Sequence, residues 1–122
     1  MKQRKPINYL RSYRLRWGLS QGDLAHLLGW NRPDVISRIE KKQRQPTLKL
    51  VIACLVLFGA SAADLFPDIS ARIEDDVMGR VWDFYERIQG SASRKTKTQI
   101  ELLENAIERA DLRARKADHD TA

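Results

Sequence analysis

A chain of 122 residues is long enough for one domain with its own core and an appendage, and a net charge of +6 with a pI near 9.8 favours a polyanionic partner. The one cysteine, Cys54, excludes an internal disulfide, and His26 and His119 stand too far apart to suggest a metal site, so neither metal nor cofactor is expected. The longest apolar run, residues 50–59, is about half of the roughly 20 residues that span a bilayer, and no apolar stretch follows the basic start, so a cytoplasmic, nucleoid-associated protein without a membrane segment is expected.

The charge is segregated. Residues 1–60 hold twelve Lys/Arg against three Asp/Glu, whereas residues 61–122 hold ten against thirteen. The basic excess therefore lies in the first half, as expected if that half holds phosphates.

Residues 1–6 read as a basic arm, expected to be disordered when free. From Ile7 to Trp17 the apolar positions Leu10, Tyr13 and Trp17 recur at three and four, with Gly18 ending a first helix. Ser20 and Asp23 have the spacing of a capping box, which starts a second helix at Gln21. Leu24, Ala25, Leu27 and Leu28 share one side of it, and Gly29 supplies its left-handed end. Asn31 and Asp34 repeat the cap spacing, with Pro33 in the first turn of a third helix whose Val35, Ile36 and Ile39 face inward. Two short helices joined by a tight turn suit either an ordinary helical hairpin or a helix-turn-helix, in which the second helix enters the DNA major groove.

The chemistry suits DNA. Arg32 and Arg38 can offer paired donors to guanine and Asn31 can pair with adenine, so Asn31, Arg32, Asp34, Ser37 and Arg38 are the candidate base readers. Gln21, at a helix N-terminus, and Lys41, Lys42 and Arg44, in a loop without apolar residues, are candidate phosphate contacts. Thr47 caps a fourth helix whose face of Leu48, Val51, Ile52, Leu55, Val56 and Phe58 is expected to be central to the core. Ser61 caps a short fifth helix, after which Leu65 and Phe66 are expected to fold back on the core before Pro67 stops that helix.

Leu10-Arg11-x-Tyr13-Arg14, Gly18-Leu19-Ser20-Gln21, Leu24-Ala25-x-Leu27-Leu28-Gly29, Ile36-Ser37-Arg38-Ile39-Glu40, Pro46-Thr47-Leu48 and Phe58-Gly59-Ala60, in that order, resemble the Cro/C1 or XRE-type helix-turn-helix regulators over about residues 8–66. The resemblance implies an all-α fold, a five-helix lambda-repressor-like bundle over residues 7–67, and a dimeric regulator of transcription, here expected to be a repressor. It also implies that Gln21 contacts the backbone of double-stranded DNA and that Arg14 and Glu40 form a charge pair. Between Gly29 and Ile36 the chain has one residue more than the commonest family pattern. Residues 31–33 then either lengthen the turn or extend the third helix.

Beyond the resemblance, residues 68–118 read as two further helices. Ile69, Ile73, Val77, Val81, Phe84 and Ile88 share one face of the first, in which Gly79 marks a bend or a close contact. After a break at residues 90–93, Thr98 and Glu101 have capping-box spacing, and Ile100, Leu103 and Ile107 begin a heptad seam. These faces are expected to make a homodimer; folding back on their own bundle is the alternative, and residues 119–122 are a tail. A second functional reading is an antitoxin or adaptor that holds a protein partner through these helices and binds DNA for autoregulation. An enzyme is not expected, because the carboxylates of this half are scattered as on a solvated face and no nucleophile–base pair is apparent. Trp17, Trp30 and Trp82 suit core packing better than stacking on single-stranded bases.

Overall fold

A computed structural model describes residues 8–121, so the basic arm at residues 1–6 lies outside the described residues. The described chain is all helical: α1 (Leu10–Arg16), α2 (Gln21–Leu27), α3 (Asp34–Glu40), α4 (Leu48–Phe58), α5 (Ala62–Leu65), α6 (Pro67–Arg87) and α7 (Arg94–Thr121). Among the described residues no helix is long and apolar enough to cross a membrane, and no group of His, Cys, Asp and Glu is placed to hold a metal. Two compact units divide between Arg72 and Ile73, inside α6.

In the first unit, helix starts follow local side-chain chemistry. Ser20 and Asp23 exchange hydrogen bonds of 2.9 Å to open α2, Ser61 and Asp64 open α5 in the same way, and the Thr47 hydroxyl accepts from Leu50 N–H at 3.2 Å to open α4. Phe66, at φ −132° and ψ 63°, leaves helical conformation before the proline, which ends α5, and Pro67 itself begins α6, because the first turn has no use for the missing N–H. The core gathers Leu10, Leu24, Ala25, Leu28, Ile36, Ile39, Leu50, Cys54, Leu65 and Phe66, with Ile69 of α6 packed against it. Ile69, expected at a dimer face, therefore belongs to this unit's core. Burial pushes the Cys54 thiol up to about 11, so it stays protonated as a small core side chain.

The fourth helix turns differently from expectation. Leu50 and Cys54 are fully buried, with Val51 and Phe58 beside them, while Leu48 and Val56 are 74% and 78% exposed and Ile52 and Leu55 are also exposed. Lys49 is the helix's one polar residue, so periodicity could not choose a face. Leu27 is exposed beside this stripe, and Trp17, at the end of α1, is 64% exposed rather than packed in the core. Trp30 does pack on the core.

In the second unit, α6 and α7 form an antiparallel hairpin, as the Arg113–Glu74 ion pair at 2.9 Å across 39 residues requires. The break holds Gly90 at φ +84°, and Ser93, not Thr98, caps α7 by accepting from Thr96 N–H at 3.1 Å. Thr98 instead donates its hydroxyl proton to the Arg94 carbonyl at 3.1 Å. The helix runs on to Thr121, through most of the expected tail. Gly79 has nothing within 4 Å of the position a Cβ would take, so no close approach explains it.

Candidate nucleic-acid interface

A buried polar network sets the angle between α1, α2 and α3. Arg14 Nε donates to Glu40 Oε2 at 2.7 Å, one terminal amine donates to Glu40 Oε1 at 3.0 Å, and the other donates to the Leu19 carbonyl at 2.8 Å. The two side chains are 7% and 4% exposed. Hydrogen bonds to Glu40 outweigh desolvation and hold the Arg14 guanidinium above its ordinary value, so Arg14 stays charged. Gln21 joins it, donating from Nε2 to Glu40 Oε1 at 3.1 Å. Gln21 thus stands at the start of α2 with its amide nitrogen held by Glu40.

Asn8 makes a second brace that the sequence reading missed. Its side-chain oxygen accepts from Leu10 N–H at 2.9 Å, opening α1, and its amide nitrogen donates to the Ile39 carbonyl at 2.8 Å near the end of α3. The available signal was an Asn two residues before the first buried leucine. α1 accordingly begins at Leu10 rather than at Ile7.

The turn between α2 and α3 is the longer of the two alternatives. Gly29 at φ +75° and the Trp30 N–H, bonded to the Ala25 carbonyl at 2.9 Å, close α2. Pro33 is the N-cap of α3 and makes no side-chain cap bond, so Asn31 does not cap the helix. The proline ring keeps Arg32 out of helical conformation, which fixes the helix start at Asp34.

The α2–α3 unit therefore presents Asn31, Arg32, Asp34 and Arg38 to solvent, with Ser37 half-buried and Val35 packed against the core. Arg32 pairs loosely with Asp34 at 3.4 Å. Among the described residues Arg38 has no ion pair. After α3 the chain turns through Lys42 in the left-handed region at φ +64°, closed by Lys42 N–H to Ile39 O at 3.0 Å and Gln43 N–H to Arg38 O at 2.8 Å. That conformation costs a residue with a Cβ of order 1–3 kcal/mol. It leaves Lys41, Lys42 and Arg44 exposed and, among the described residues, without ion pairs. Lys42, Gln43 and Arg44 line a hollow of about 280 Å³ together with Arg72 of α6, a cation that sequence reading assigned to the appendage.

An exposed short helix with a free arginine, flanked by unpaired cations and braced by a buried ion pair, defines a helix-turn-helix DNA-binding protein. Residues 8–66 match the helix-turn-helix domain family, and the chain belongs to it. It is 41% identical over 59 residues to an uncharacterized HTH-type transcriptional regulator of Methanocaldococcus jannaschii, an alignment that spans 48% of this chain and 88% of that protein. No solved structure matches the chain. The protein is a DNA-binding transcriptional regulator, and double-stranded DNA is its partner.

Proposed function

We propose that the protein is a sequence-specific repressor of the Cro/C1 type that binds DNA as a dimer, α3 of each copy lying in a major groove. The observation that carries this reading is Arg38: exposed, free of any ion pair among the described residues, and held on a helix whose far end is locked by Glu40 to Arg14. Arg38 reads a guanine bidentately; Asn31, Arg32, Asp34 and Ser37 contact neighbouring bases, and Lys41, Lys42, Arg44 and Gln21 hold phosphates. The hairpin supplies the dimer contact. Its Ile73 and Val77 are exposed, Val81, Phe84, Ile88 and Ile100 are half-buried, and Leu103 is buried. Two-fold symmetry then sets the reading helices about 34 Å apart on successive grooves.

Selection of bound sites from random duplexes, with sedimentation of the complex in parallel, tests the reading. A two-fold-symmetric site bound by two copies is expected. Arg38→Ala should lose about 1–3 kcal/mol of discrimination at one base position per half-site, and Lys42→Ala should weaken all sequences alike with a salt slope shallower by about one. Uniform weakening by Arg38→Ala would rule out α3 as the reader.

A further inference from the structure

The C-terminal hairpin carries a groove of about 640 Å³ along one flank. Met78, Trp82, Tyr85 and Ile107 give it an apolar floor, and Glu74, Asp75, Glu104, Glu108 and Asp111 rim it; no Lys or Arg lines it. Carboxylates that are scattered along the sequence are thus gathered by the fold-back of α7 on α6.

Local needs account for only part of this rim. Glu74 accepts from Arg113 at 2.9 Å and Asp111 pairs with Arg115 at 3.1 Å, but Asp75, Glu104 and Glu108 have no ion pair among the described residues. Glu104 and Glu108 stand four apart on α7, where like charges destabilise a helix. A cationic occupant would offset that repulsion. Trp82 is 47% exposed and set edge-on to Tyr85 with ring centroids 6.0 Å apart, an aromatic anchor beside an apolar floor. A cleft between two helices accepts a third helix by its apolar stripe. The acidic rim repels nucleic acid and selects the sign of the partner's flanking charges.

We propose that this groove binds a cationic amphipathic helix of a partner protein, with apolar residues on the Met78–Trp82 floor and Lys/Arg against Glu104, Glu108 and Asp75. The site shares no residue with the candidate DNA-reading residues and goes beyond the repressor reading. It makes the regulator an adaptor whose acidic half takes up a basic protein segment while the basic half holds DNA.

The test uses the full chain and two synthetic 18-residue helices that share one leucine stripe and carry either lysine or glutamate on its flanks, with binding followed by calorimetry. The lysine peptide should bind in the micromolar range and weaken with added salt, and the glutamate peptide should not bind. The double variant Glu104→Gln/Glu108→Gln should weaken the lysine peptide about tenfold or more. Its circular dichroism should stay helical, since the substitutions remove a like-charge pair, and its DNA affinity should stay unchanged. Failure of the lysine peptide to bind, equal binding of both peptides, or unchanged affinity in the double variant would overturn the proposal. Loss of self-association in the double variant, with the lysine peptide unbound, would overturn it in favour of a second copy in the groove.

Discussion

The two units use the same secondary structure and hold it by different means. The first packs ten large or small apolar side chains and Ala60 into one buried cluster, and even its charged brace, Arg14, is buried. The second has two longer helices, yet Leu103 is its one buried residue among those described, while Ile73, Val77, Leu102 and Leu112 stay exposed. Helix length does not substitute for a core: most helical stability in proteins comes from an apolar face packed against something. The first unit supplies its own partner surfaces, and the second leaves apolar surface exposed.

Leucine-to-alanine substitutions in the two units should separate most widely. Leu50→Ala, at a fully buried position, is expected to cost about 2–5 kcal/mol in chemical denaturation, and Leu102→Ala about 0.5 kcal/mol or less. A loss at Leu102 comparable to that at Leu50 would mean that the exposed face of the hairpin is covered in solution.

Ion pairs should differ next. Removing one partner of Arg14–Glu40 strands a charge among side chains less than a tenth exposed, and Arg14→Ala is expected to cost about 3–5 kcal/mol. Arg113–Glu74, with side chains 55% and 44% exposed, should contribute about 1 kcal/mol or less. Double-mutant cycles on both pairs measure the contrast, and equal coupling energies would break it.

The smallest effect sharpens the account of the hairpin. Gly79 lies inside α6 with open space around it, so Gly79→Ala should raise the stability of the second unit by about 1 kcal/mol. Thermal unfolding followed by circular dichroism should show a higher midpoint; a lower one would reveal a close contact made by another chain at that position.

Legibility in the sequence followed the range of the interaction. Ser20–Asp23, Ser61–Asp64 and Thr47 were readable as caps because donor and acceptor lie three residues apart and local geometry alone brings them together. The same spacing misled at Asn31–Asp34 and Thr98–Glu101. At the first, Pro33 holds the preceding residue out of the helix; at the second, Ser93 caps the helix earlier. Asn8 was silent because its second partner, the Ile39 carbonyl, is 31 residues away.

By itself, then, the sequence determined an all-helical chain with two short helices between residues 20 and 41, and its basic and acidic halves. These follow from periodicity, capping and composition, which act within a few residues. Only tertiary structure decided which side of α4 is buried, since a helix apolar nearly all round offers no contrast for a period to detect. It likewise decided that Ile69 packs with the first unit, that Trp17 faces solvent, and that five carboxylates from two helices rim one groove. Each of these depends on which distant surface a side chain meets, and burial is a property of the pair rather than of either residue.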